Sequence, residues 1–172
     1  MMNIVVRTMT QEDIPFAVQL EKELFSDAWT ELGLINTLHY RPDTSFVAEL
    51  DGEDVGYLFF MAAADEGELL RIGVSPRHRR KGIGQALISH MDQYARENSI
   101  YAVWLEVRGS NEGARALYEK NGFILQGYRK KYYHNPEEDA AIMSKTYAQE
   151  DWACLKMELP EIPIDNSGGI LL

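Results

Sequence analysis

From Arg77 to Glu97 the chain reads RHRRKGIGQALISHMDQYARE: a basic run, then Gly82-Ile83-Gly84, then a helix. Ile83, Ala86, Leu87, His90, Met91 and Tyr94 recur at i, i+3 and i+4 spacing, so this helix has one apolar face to bury. Glycine lets a backbone approach another group with no Cβ in the way. The first N–H groups of a helix are unpaired and carry the positive end of its dipole. Three readings compete: a basic surface loop at a glycine-rich helix start, a nucleotide loop, and a cradle for another kind of pyrophosphate. The nucleotide reading fails in detail. Leu87 stands where a dinucleotide fingerprint needs Gly or Ala, and no Gly-Lys-Ser/Thr follows.

Around this helix the pattern alternates between strands and helices. Asn3 to Thr8 reads as an edge strand. Thr10 and Asp13 can cap a helix carrying Ile14, Ala17, Leu20 and Leu24 on one face, and Thr30 a short second helix with Leu34 and Leu38. Thr44 to Leu50 and Val55 to Ala62 are joined by Asp51-Gly52-Glu53-Asp54, a hairpin signal, and Glu68 to Val74 extends the meander. After the quoted helix, Tyr101 to Val107 is a nearly continuous apolar run, as in a strand covered on both faces. Asn111 opens a helix that closes at Asn121-Gly122, and Phe123 to Arg129 and Ala140 to Thr146 read as two closing strands. The order β-α-α-β-β-β-α-β-α-β-β predicts a single α/β domain on one mixed sheet, not a doubly wound one. It is expected to span residues 1–147, with 148–172 a C-terminal extension that is partly flexible from Pro160 onward.

Charge and cysteine content narrow the function classes. A formal net charge of -10 disfavours nucleic acid and anionic membrane as partners. The one cysteine, Cys154, allows no intrachain disulfide, and the four histidines show no metal-ligand spacing, so no metal is expected. His90, on the apolar helix face, reads as a core residue. No signal-peptide pattern opens the chain and no apolar run approaches the ~18 to 20 residues of a membrane span, so the expected location is the cytoplasm.

The motif Arg79-x-x-Gly82-x-Gly84, after a strand and before a helix, resembles the coenzyme A loop of the GNAT N-acetyltransferases. The likeness sharpens downstream, in VWLEVRGSNEGARALYEKNGF, YRKKYY and EEDAAIM. These segments are similar to those of the bacterial ribosomal-protein-alanine N-acetyltransferase family. The likeness covers the layout from Asn3 to Ser144 and the motifs from Ile72 to Met143.

That resemblance implies acetyl-CoA as co-substrate and assigns roles residue by residue. Backbone groups of Arg80, Lys81, Gly82, Ile83, Gly84 and Gln85, with the charge of Arg79, would hold the pyrophosphate. Ile72, Gly73 and Val74 would run beside the pantetheine arm, with the Val74 N–H as oxyanion donor. Ile72 and Val74 also read as plain core-strand residues, and both readings can hold together. Glu106 would be the general base, and it interrupts a strand otherwise fit for burial. Otherwise it is a strand-end glutamate paired with Arg108 or Arg115. Tyr118 would be the general acid, holding its proton at pH 7 until a thiolate leaves. Otherwise it is a core aromatic. Asn111 would cap its helix and touch the pantetheine. Attack is direct, so Cys154 has no covalent role.

For the acceptor, the resemblance points between the loop Phe25 to Thr30 and the loop Arg129 to Asp139, where Tyr132 and Tyr133 would wall a peptide slot and Glu137, Glu138 and Asp139 could attract a basic peptide. Ala28 stands where family members commonly have proline, which predicts a looser first loop. An α-amino group titrates near ~7.7 to 8.0 and lysine near ~10.4, so a carboxylate base suits an N-terminus. The expected activity is acetylation of the N-terminal alanine of a ribosomal protein. The alternatives are acetylation of a small amine (a polyamine or an aminoglycoside) and a coenzyme A-binding domain without catalysis. A peptide acceptor predicts an open groove across the sheet, a small amine a closed acidic pocket.

Overall fold

The structure, a computed structural model, describes residues 3–147. The expectations for the segment after Tyr147, Cys154 included, lie outside the described residues. Seven strands and four helices follow in the expected order: β1 Ile4–Thr8, α1 Ile14–Leu24, α2 Glu31–Tyr40, β2 Ser45–Leu50, β3 Glu53–Ala63, β4 Glu66–Val74, α3 Ile83–Glu97, β5 Ala102–Arg108, α4 Glu112–Lys120, β6 Ile124–His134 and β7 Glu137–Thr146.

Local chemistry accounts for the boundaries. The Thr30 hydroxyl accepts the Gly33 N–H at 3.1 Å and the Asn111 side-chain oxygen accepts the Ala114 N–H at 3.1 Å, each satisfying an orphan donor of a first helical turn. The Asp51-Gly52 turn puts both residues at positive φ, +52° and +87°.

The strands form one mixed sheet in the order β1-β2-β3-β4-β5-β7-β6, with only β4 and β5 parallel. α3 buries Ile83, Leu87, Ile88 and Met91 on one face of this sheet, in a core with Phe46, Leu58, Phe60, Val103 and Leu105. Truncating one such leucine to alanine costs about 2–5 kcal/mol. α1 and α2 cover the other face over β2 and β3, where Ile14, Ala17, Leu20, Leu34 and Leu38 meet Val47, Tyr57 and Phe59. That cover stops short of β5, so Trp104 stays 38% exposed and the strand is less enclosed than its apolar sequence predicts. His90, as expected, packs on the core: its ring meets Phe46 edge-on at 4.7 Å. Asp92 of α3 receives Lys145 Nζ and the Tyr147 hydroxyl, both at 2.6 Å, which fastens the helix to the end of β7.

Two irregularities shape the sheet. In β4 Phe59 opposes Arg71 and Phe60 opposes Leu69, so Leu70 is an extra residue, a β-bulge. Past it, β4 leaves β5: only Glu66–Leu69 pair with Ala102–Leu105, though both strands continue. The second irregularity corrects the expected loop Arg129–Asp139. Those residues form the arms of a long hairpin with a turn only at 135–136. Arg129 opposes Ala140 and Tyr133 opposes Glu138, so three residues of β6 face Asp139 alone. The Asp139 carboxylate fills the broken ladder, accepting the Lys131 N–H at 2.9 Å and Lys130 Nζ at 2.7 Å. A side chain thus takes over ladder bonds that a reading of strand propensity does not anticipate.

Candidate active site

Where β4 and β5 part, they leave a cavity of about 350 Å³. Its wall includes Ile72 of β4, Glu106 of β5, Asn111 and Tyr118 at α4 and Tyr133 of β6, so five residues singled out in the sequence meet here. The ladder explains why the backbone is available. The Ser75 N–H donates to the Val55 carbonyl at 2.8 Å, and an antiparallel ladder alternates its bonded pairs. The N–H groups of Val74 and Ile72 therefore point away from β3, into the gap that β5 has left. The Gly73 N–H, between them, faces β3, where Gly73 opposes Tyr57, and a Cβ at Gly73 would press on the Tyr57 and Leu24 side chains.

The glycine loop stands at the end of this gap. Gly82 caps α3 at φ +88°, a conformation glycine adopts without strain, and Arg80 also has positive φ, +62°. The Ala86 N–H is the first to find a helical partner, the Gly82 carbonyl, so the N–H groups ahead of it remain for a ligand. Gly84 serves a different purpose: a Cβ there would lie 2.9 Å from Leu117 of α4, so its absence lets α3 and α4 approach closely. Arg79, Arg80 and Lys81 are exposed and make no ion pair among the described residues, which fits an anion site. The Gln85 side chain exchanges hydrogen bonds with Asn121 of α4, so only its backbone is free for such a site.

Glu106 pairs with neither Arg108 nor Arg115. Its carboxylate lies 2.8 Å from Nη1 of Arg129 on β6, reached because the hairpin curls over β5. Arg108 is drawn instead to the Pro136 carbonyl at 3.0 Å and to Glu138, and Arg115 to the Gly109 carbonyl at 3.1 Å. Tyr118 is buried, and burial pushes its hydroxyl well above the ordinary tyrosine range, so it keeps its proton through neutral pH. Tyr133, beside it on the cavity wall, is pushed up to about 12 by burial and then by the Glu106 charge.

Residues 14–123 match the acetyltransferase (GNAT) family. The chain belongs to the GNAT acetyltransferases. It is 30% identical over 141 residues to the ribosomal protein bS18-alanine N-acetyltransferase of Escherichia coli, covering 81% of this chain and 95% of that protein. To an N-alpha-acetyltransferase of Mycobacterium tuberculosis it is 32% identical over 149 residues, 83% and 92% of the two chains. Among solved structures, Ard1 from Thermoplasma volcanium superposes with a TM-score of 0.80 at 25% identity, covering 84% of this chain and 98% of that one. Like other GNAT proteins, it is an acetyl-CoA-dependent acyltransferase.

The side of the cavity formed by the α1–α2 loop holds buried charged residues that sequence reasoning missed. Glu21 of α1 is fully buried and receives Nη2 of Arg71 at 3.0 Å, the Trp29 N–H at 2.8 Å and the Tyr57 hydroxyl. Arg71 also donates to the Asp27 carbonyl at 2.8 Å and lies 4.0 Å over the Phe25 ring. The loop Phe25 to Thr30 is thus tied down, contrary to the looseness expected from Ala28. A signal existed: Glu21 falls on the apolar face of α1, one turn after Ala17, and Arg71 interrupts an apolar strand. The same loop meets the hairpin turn, where the Ser26 hydroxyl donates to the Asn135 carbonyl at 2.7 Å. Tyr133 lines the cavity under this bridge, stacked 4.2 Å from Arg108, while Tyr132 lies outside it against Arg129. The open groove expected for a peptide is therefore roofed. Glu138 is engaged by Arg108 of β5, and within the hairpin Asp139 is engaged by Lys130 and Glu137 by Lys131.

Proposed function

We propose that this GNAT enzyme is a cytoplasmic N-α-acetyltransferase that modifies the N-terminal alanine of a ribosomal protein. The observation that carries the reading is one cavity, in the gap between β4 and β5, walled by both Glu106 and Tyr118. The relatives named for acetylating alanine of a ribosomal protein, matched over most of their length, support the acceptor.

Bound acetyl-CoA supplies an activated acetyl group. The backbone of Arg80 to Gln85, with the exposed charges of Arg79 to Lys81, holds the pyrophosphate at the mouth of α3. Ile72 and Val74 offer N–H groups along the gap, and the Val74 N–H stabilises the oxygen on which charge develops. Asn111, its side chain engaged as a helix cap, lies beside the pantetheine. Glu106 takes the acceptor's proton through water, and Tyr118, held protonated by burial, returns one to the departing sulfur. Under the bridge from Ser26 to Asn135 the acceptor enters end-on, which suits a chain terminus.

The test is thiol release from acetyl-CoA with basic peptides bearing free N-terminal Ala, Ser or Met, with N-blocked lysine peptides, and with spermidine. Turnover on free Ala or Ser peptides alone is expected. Turnover only on spermidine or lysine overturns the acceptor, and coenzyme A binding without turnover on any of them overturns catalysis. Glu106→Gln and Tyr118→Phe are each expected to lower kcat by about 10²–10⁴-fold. Unchanged rates would remove those roles.

A further inference from the structure

The β6–β7 hairpin brings together charges that spacing along the chain does not. Its bulge, pinned by Asp139, brings side chains of β6 onto the β5 face that carries Glu106 and Arg108. Arg129 reaches Glu106 at 2.8 Å and lies 5.0 Å over the Tyr132 ring, while Tyr133 stacks on Arg108. In a regular strand Tyr132 and Arg129, three apart, would face opposite sides of the sheet. Here both meet one carboxylate: the Tyr132 hydroxyl is pushed up first by its hydrogen bond to Glu106 and then by burial.

The charges on the far side oppose this. On β4, Glu68 approaches Glu106 diagonally, since Glu68 pairs with Trp104 two residues earlier. Burial first, and the Glu106 charge second, push Glu68 up, and Arg129 works against that rise. The remaining titratable groups around Glu106 are Arg71 from β4, Tyr118 from α4 and Asp27 from the α1–α2 loop. Arg71 is already occupied by buried Glu21, and Arg108 by Glu138. Arg129 is therefore the cation left to Glu106.

We propose that Arg129 is a positioning residue for the reaction: it holds the Glu106 carboxylate by one oxygen at the cavity wall, against the neighbouring Glu68. This rests on Glu106 being the base. Its side chain is over half exposed, at 56%, so it acts by charge and placement and not as part of the core.

The experiment measures kcat, at saturating acetyl-CoA and peptide, from about pH 5.5 to about pH 8.5. It compares the unaltered enzyme with Arg129→Gln, Arg129→Lys, Glu106→Gln and the double variant Glu68→Gln/Arg129→Gln. The acceptor amine is common to every arm, so differences between variants belong to the enzyme. Losing an opposite charge moves a carboxylate's titration upward by roughly one unit or more. The ratio of the Arg129→Gln rate to the unaltered rate is therefore expected to fall as the pH falls, by about twofold at the acid end of that range for an ordinary carboxyl moved up by one unit. Arg129→Lys should restore most of it, and adding Glu68→Gln should restore part by removing the like charge. A deficit equal at every pH, or none, overturns the proposal, as does failure of the lysine variant to rescue. If Glu106→Gln keeps full activity, the assignment of the base falls and Arg129's role with it. If Glu106→Gln is inactive and Arg129→Gln shows no pH dependence, only the Arg129 proposal falls.

Discussion

The two halves of the site are built from different materials. The proposed donor half, β4 with the mouth of α3, offers backbone: N–H groups of Ile72 and Val74 facing a gap, a glycine at φ +88°, and exposed cations with no ion pair among the described residues. The proposed acceptor half, the α1–α2 loop and the β6–β7 hairpin, is built of side-chain pairs between segments far apart in sequence, such as Glu21 with Arg71 and Glu106 with Arg129. In the proposed function a backbone cradle would bind the pyrophosphate and amide arm of the donor, and it tolerates change in the side chains around it. A side-chain frame can be re-cut to suit one acceptor, but each member depends on a partner elsewhere.

The largest difference between the halves should appear on breaking that dependence. Glu21→Ala leaves the 12%-exposed Arg71 guanidinium without its buried partner, and removing one member of such a pair costs about 3–5 kcal/mol. Thermal melting should show the loss, and peptide KM should rise more than acetyl-CoA KM. On the donor side, Gly82→Val forces a β-branched residue into the left-handed region at about 1–2 kcal/mol. Steady-state kinetics should give a roughly tenfold higher acetyl-CoA KM with peptide KM unchanged. If both variants shift both KM values equally, the division into halves is wrong.

A third, smaller effect is a matter of sign. The folded chain raises the Glu68 pKa, by burial first and by Glu106 second, so it binds that proton more tightly than the unfolded chain does. Folding therefore loses stability as the pH rises through the carboxyl range. Glu68→Gln should melt higher than the unaltered protein at pH 7.5, with the gain vanishing near pH 4. A gain that persists at low pH would point to packing instead. Smallest of all, Ser26→Ala removes one bond of the bridge to the hairpin turn, about 0.5–1.5 kcal/mol. It should raise peptide KM a few-fold and leave acetyl-CoA KM alone.

The same division decides how much could be read in advance. The element order, the caps at Thr30 and Asn111 and the glycine loop before α3 were all legible, because each rests on contacts within a few residues. The hairpin was not: Arg129 to Asp139 reads as a loop, because Lys130, Lys131 and Asp139 are poor strand formers, and only the Asp139 carboxylate standing in for missing ladder bonds makes strands of them. Spacing along the chain offers Glu106 a partner two or nine residues away, at Arg108 or Arg115, and its partner stands at Arg129.

By itself, then, the sequence determined the layout of the fold and the glycine loop at the mouth of α3, since periodicity, caps and glycine conformations act locally along the chain. The tertiary structure alone decided which charges meet: which arginine holds Glu106, that Glu21 anchors the acceptor loop through Arg71, and that loop and hairpin close over the cavity. Those pairings join residues brought together by sheet order and a bulge, and charge partners are set by distance in space, which spacing along the chain does not encode.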